Sequence, residues 1–363
     1  MFRTGYITDL RGDLVWFLGL PFAALAVALV SQQWLSAVAL ASFVLWVNTP
    51  HTFSTIIRAY GLEEDRKRFS DRLIVGVIAI CSLLYFGLTY FPITLLLLTT
   101  VWNHQHFMMQ LHGFTRIYDF KAGAGSKATG HYDLILNIIL YLNMFVTAPL
   151  FTKYWVRELI RFGVPLTTQS VDTIQICSWI VTITYLVLYA QHALSCVRAG
   201  GALNPVKYLF LAANYSVLYY LAYRTDSVLV HGIANVIMHG VQYFVIIYLY
   251  TERKVLASPE RNRFLSWITG HGAWGPIAFC GICVLYAVFA QYMIGRPLGE
   301  FGFGLWGIAE QYGDVPAAGM EGLSRKQGLD LYLAIVVTCS GLLQVYYDSF
   351  IWKVRDVKSQ AGL

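Results

Sequence analysis

Nine histidines punctuate this chain, and most lie within or at the ends of long apolar runs, beside Asn, Gln and Tyr and not Asp or Glu. An ionisable or ligating side chain is costly inside a membrane, so a group of them points to a functional site. The densest stretch reads Trp102-Asn103-His104-Gln105-His106-Phe107-Met108-Met109-Gln110-Leu111-His112, and Pro50-His51, Gln191-His192 and His239-Gly240-Val241-Gln242-Tyr243 extend the set. Neutral imidazole is the commonest metal ligand and, unlike a carboxylate, need not carry charge into a bilayer. The candidate metal ligands are His51, His104, His106, His112, His192 and His239, with His112 the alternate on its helix. A ligating imidazole is usually oriented through its second nitrogen, and the candidates for that role are Asn103, Gln110, Asn235, Gln242, Tyr189, Tyr347 and Asp348. Imidazole-rich ligation suits iron, copper or zinc. Iron is favoured here, because a lipid-embedded site with open positions suits dioxygen chemistry on hydrocarbon.

The elements that must position these groups are helices. Each helical residue advances about 100° around the axis, so His231, Asn235, His239 and Gln242 share an arc of roughly 80°. The densest stretch carries two stripes, Asn103/His106/Gln110 and His104/Met108/His112, while Tyr185, Tyr189 and His192 form a further face. Hydrophobic residues make up 57% of the 363, charged residues 13%, and mean hydropathy is +0.56. That composition predicts an all-α polytopic transmembrane helix bundle, one integral membrane domain over residues 1–363. About ten apolar stretches have spanning length: 13–30, 34–57, 72–90, 92–116, 134–151, 172–197, 206–223, 228–250, 272–294 and 328–352. With the N-terminus inside, 19 Lys and Arg face the cytoplasm and 7 the other side, which predicts both termini cytoplasmic. The expected location is the bacterial inner membrane.

On that topology residues 118–133 form a cytoplasmic loop and 295–327 an extracytoplasmic, interfacial one, whose glycines alternate with Phe301, Phe303 and Trp306. The Gly-rich stretch 121–130 lacks the order of a phosphate loop and reads as a flexible connector. The net charge of +6 is accounted for by basic loops beside anionic lipid and implies no nucleic-acid partner. Six cysteines in apolar segments make no disulfide framework, and Cys280-x-x-Cys283 reads as structural. His231 and His271 read as structural or interfacial, His131 as a loop-edge residue, and Asp348 as either an inward carboxylate or an interfacial partner of Lys353 and Arg355.

At Pro50-His51, Trp102 to Gln105, His239 to Tyr243 and Asp348 to Lys353 the chain resembles a group of uncharacterised polytopic bacterial membrane proteins, a pattern spread over most of its length. Pro50-His51 is also similar to the early Pro-His element of the Brp/Blh-type carotene-cleaving dioxygenases, which hold non-haem iron through histidines on different helices. The Gly and Ala-Leu-Asp flanking that element are absent here, where the surroundings are Asn48-Thr49-Pro50-His51-Thr52-Phe53. The histidine boxes of membrane desaturases do not occur. The expectation is a His-ligated metal oxidoreductase or oxygenase acting on a lipophilic substrate, with the bilayer and a redox partner as associates. One rival is a haem b-binding electron-transfer subunit, with two facing histidines as axial ligands. A second is a transporter or channel with a path lined by His, Asn and Gln, against which the helix interiors hold almost no Asp, Glu, Lys or Arg. A third is a scaffold or assembly factor.

Overall fold

The computed structural model describes residues 2–258, 262–270, 272–290, 341–352 and 362. The chain is all-helical, 85% helix, with no strand among the described residues. The predicted loop 295–327 and His271, Lys353 and Arg355 lie outside them. The helices are α1 (Leu10–Trp34), α2 (Ala37–Gly61), α3 (Glu63–Arg68), α4 (Ser70–Tyr90), α5 (Pro92–Lys121), α6 (Lys127–Thr147) and α7 (Pro149–Arg161). They continue as α8 (Thr168–Arg198), α9 (Pro205–Arg224), α10 (Val228–Ala257), α11 (Arg263–Ile268), α12 (Trp274–Phe289) and α13 (341–351). The ten apolar stretches are mostly helical over their described parts, with breaks at 35–36 and at Ala148. Four helices, α1, α8, α10 and the 70–87 part of α4, are long and apolar enough to cross a membrane, and the bent pair α6–α7 would make a fifth.

Helix starts are set by side chains that accept the orphan N–H groups of the first turn. Ser36 caps α2, Ser126 caps α6, Thr167 and Ser170 cap α8 reciprocally, and Asn204 caps α9 with Pro205 behind it. These caps correct the reading of residues 118–133 as a loop. Helix covers 118–121 and 127–133, and the turn between them is fixed by Gly123 N–H to Phe120 O and Ala124 N–H to Asp119 O. Gly123 and Gly125 take φ of +57° and +80° there, which glycine adopts without strain. The connector is ordered because both its ends are needed: Asp119 and Asp133 are buried.

The described chain divides into two compact units, 1–33 with 107–239 and 34–106 with 240–363, so the boundary falls inside α5 and α10. In the first unit, α6 packs along α8, and Phe17 of α1 meets Phe114, Tyr118 and Phe210 edge-on or tilted. The N-terminal strand-like segment is pinned by Asp13, which accepts from Ile7 N, Thr8 N and Thr8 Oγ1 at 2.8–3.0 Å. Gly5 lies on the backbone of Lys121 and Ala122, where a Cβ has no room. After α6 the chain bends by 75° into α7. Pro149 cannot continue the ladder, and at the break the carbonyl of Val146 accepts from Thr152 Oγ1, Trp155 Nε1 and Gln175 Nε2. In the second unit α2 packs on α12, and two apolar clusters, Ile80/Leu84/Leu95/Leu342 and Ala59/Leu73/Tyr347/Phe350/Ile351, seat α13.

Candidate functional site

The second unit gathers His51 and His106 around a residue the sequence reading did not single out, Gln344. His51 and Gln344 are 3% and 2% exposed. Pro50 inside α2 removes a backbone N–H and leaves the carbonyl of Trp46 without its helical donor. Over the next turn side chains bond back to carbonyls: His51 Nδ1 to Asn48 O at 2.9 Å, Thr52 Oγ1 to Thr49 O at 2.8 Å, and Ser54 Oγ to His51 O at 2.6 Å. A carbonyl only accepts, so His51 Nδ1 carries the proton and, in the neutral ring, Nε2 offers its lone pair. Gln344 Nε2 lies 2.8 Å from that nitrogen, 3.3 Å from His106 Nε2 and 3.2 Å from Asp348 Oδ2. His106 Nε2 and Asp348 Oδ2 are 3.7 Å apart, both side chains under 10% exposed. Gln344 and Asp348, four residues apart on α13, share a face, as the helical period requires.

Asp348 is the inward carboxylate of the two readings given for it. Tyr243 of α10 donates to its Oδ1. The Tyr243 oxygen then accepts, from Thr55 Oγ1 at 2.7 Å and Trp352 Nε1 at 3.2 Å. The Tyr243 ring stands edge-on to His51, with centroids 5.4 Å apart. Beside this group Arg58, fully buried, is sandwiched between Tyr250 and Trp352 at 3.8 and 3.9 Å, with Asp65 on Nε and the Ile351 carbonyl on Nη2. The positive-inside count treats Arg58 as a loop charge; it is an interior one.

The other predicted residues have surroundings of their own. His104 precedes His106 by two residues, about 200° round the helix, and is half-buried, while Asn103 is exposed. Tyr347 is buried but bonds Tyr60 Oη at 2.7 Å, and Gln242 is fully buried beside Tyr243 in the chain. His112, His192 and His239 belong to the first unit. His192 stacks on Tyr132 at 3.9 Å and bonds Thr129 Oγ1 at 3.2 Å. His239 lies against Phe107, and its carbonyl accepts from Gln110 Nε2 at 2.9 Å. Asn235 Oδ1 and His112 Nδ1 are buried without a hydrogen-bond partner among the described residues. Tyr189 donates to Asp133 Oδ1 at 2.6 Å.

That last bond belongs to a second polar cluster. Lys207, fully buried at the start of α9, reaches Asp119 at 3.1 Å and Asp133 at 3.2 Å, and Arg116 reaches Asp119 at 2.8 Å. Sequence reading placed Lys207 in a cytoplasmic loop and the helix interiors as nearly free of charge; three buried charges meet here. Among the described residues no group of three or more His, Cys, Asp or Glu side chains is arranged so that it could hold a metal ion. The described cysteines, including Cys280 and Cys283, are free.

No protein-family model matches the chain, and neither does any curated protein or solved structure.

Proposed function

We propose that this chain is an integral protein of the bacterial inner membrane, with about ten crossings and both termini cytoplasmic, whose second unit holds a His-ligated metal, iron in our reading. In that reading the metal oxidises or oxygenates a lipophilic substrate taken from the bilayer, with a redox partner supplying electrons. The observation that supports it is the buried group in which the Gln344 amide lies within 3.3 Å of His51, His106 and Asp348. Membrane residence is supported by α8, whose most apolar 18-residue stretch is only 6% buried. Ile176, Ile180, Val181 and Ile183 are all more than half exposed there. Apolar surface on that scale is a liability in water and ordinary in lipid.

Elemental analysis and an absorption spectrum of the purified chain test the metal. The expected result is one first-row transition ion per chain with no Soret band. A Soret band moves the reading to haem b, and a metal-free, colourless protein removes the oxidoreductase. The transporter reading is favoured by one observation, the buried Lys207, Asp119 and Asp133, because intramembrane charges mark ion paths. Proton or ion flux into vesicles containing the purified protein, abolished by Lys207→Met, would select it.

A further inference from the structure

We propose that Cys196 is a nucleophilic thiol, with His192 as its base, that takes an acyl group from an acyl thioester at the membrane boundary. The site lies in the first unit, uses the membrane residence argued above and needs no metal.

Two helices build the pair. α6 opens on Ser126, whose Oγ accepts from Thr129 N at 3.1 Å and lies 3.1 Å from Thr129 Oγ1. That cap fixes the first turn, so Thr129 and Tyr132, three residues apart, share a face and meet the last turns of α8. His192 stacks on the Tyr132 ring, with centroids 3.9 Å and planes 6° apart. Tyr185 holds Tyr132 in turn by donating to its carbonyl at 3.0 Å. Cys196 follows His192 by one helical turn, so its Sγ stands 3.5 Å from His192 Nε2 and 4.0 Å from Thr129 Oγ1. A thiol within hydrogen-bond reach of an imidazole that other groups hold in place is the arrangement of an activated nucleophile. Cys196 and His192 are both half-buried. Partial exposure beside a base is the setting of a reactive cysteine, whereas a structural one is sealed, as Cys283 is.

In the tautomer protonated at Nδ1, His192 Nε2 accepts the thiol hydrogen. As the sulfur attacks the carbonyl carbon of the thioester, that proton passes to Nε2. The imidazolium N–H then has two acceptors in reach, the sulfur and Thr129 Oγ1 at 3.2 Å. The bond from the carbonyl carbon to the carrier sulfur breaks, and Nε2 gives the proton to the leaving thiolate. One thioester is exchanged for another, so neither oxidant nor reductant enters. The acyl class follows from position. Cys196 stands two residues before the end of α8, the helix whose outer face is apolar and open to lipid. A donor reaching it there keeps its tail in the bilayer and its activated head at the boundary, as acylation of juxtamembrane cysteines requires.

Octanoyl-coenzyme A offered to the detergent-purified full chain, followed by intact mass and peptide mapping, tests this. The reference is the same thiol in the chain unfolded in guanidinium chloride, where no base is positioned beside it. Cys196 should acylate about a hundredfold faster in the folded chain, the lower end of what a positioned base contributes, and hydroxylamine should release the group. Burial alone slows a thiol, so a structural role cannot produce the gain. His192→Gln should abolish it, and Cys196→Ala should leave that peptide unmodified. If His192→Gln does not fold, the folded-to-unfolded ratio in the parent decides alone. A ratio of one or below, or an undiminished rate in folded His192→Gln, overturns the pair. Fast alkylation of Cys196 by iodoacetamide without acylation by octanoyl-coenzyme A overturns the acyl thioester as its substrate.

Discussion

Tyr243 ties the carboxylate of the site to the core through a single oxygen atom that donates once and accepts twice. Removing that oxygen strands the Thr55 hydroxyl, the Trp352 N–H and one side of Asp348. Tyr243→Phe should therefore cost about 1–3 kcal/mol, the range for leaving buried polar groups unpaired, read as a lowered unfolding temperature. Lys207 calls for a larger figure. Breaking a buried ion pair by removing one partner costs about 3–5 kcal/mol, so Asp133→Ala, which leaves Lys207 with Asp119 alone, should destabilise more than Tyr243→Phe. A surface pair gives the contrast: Lys67 and Glu63 stand 2.6 Å apart but are 74% and 48% exposed, and Lys67→Ala should shift the unfolding temperature little. If Asp133→Ala and Lys67→Ala unfold alike, the interior cluster carries no more stability than an exposed pair.

Among the elements, α2 is the one whose sequence and function pull apart. Proline is a poor interior helix residue, and Pro50→Ala should restore a backbone hydrogen bond to Trp46 and leave stability unchanged or raised. The new N–H would reach the Trp46 carbonyl and not that of Asn48, so the His51 Nδ1 bond to Asn48 O should survive the change. An unfolding temperature below the parent's would show that the packing of α2 depends on the proline. The apolar helices were legible from their length, and Pro50-His51 stood out as a pair, whereas α3, α7 and α11 carry no long apolar run and were not read as helices. The loop at 118–133 misled because Gly-Ala-Gly-Ser looks mobile, whereas two aspartates on either side are drawn inward by one lysine. Gln344 was passed over because an amide in an apolar helix carries no signature until its neighbours in space are known; the only hint was Asp348 four residues on.

For the molecule as a whole, the charge count fares unevenly. Of the 19 Lys and Arg assigned to the cytoplasm, Arg58 and Lys207 are buried and act through specific partners, not through the membrane potential. On the other side, Lys153, Arg157 and Arg161 sit at intervals of four on α7, past the 75° bend, the spacing of one face of an amphipathic helix lying along an interface. The remaining bias still predicts a cytoplasmic C-terminus, and a reporter fused at Gly362 should report from that compartment. A periplasmic signal there would require an odd number of crossings and undo the ten-span count. Depth along ten separate helices was the sequence's warrant for grouping histidines, and depth alone does not fix azimuth: His104 and His106 share a level and face different ways.

His51 and Gln344 are 293 residues apart in the chain. During synthesis α2 and α5 leave the ribosome long before α13, so Gln344 and Asp348 reach His51 and His106 last. Closing so long a loop is slow relative to local helix formation, which makes completion of this pocket a late event in biogenesis and its polar edge a mark of the unfinished chain. A chain ending before residue 341 would bear that mark permanently, and membrane quality-control proteases should clear it faster than a chain shortened only by its last residues. The arrangement that closes the pocket would then also report that α13 has been made.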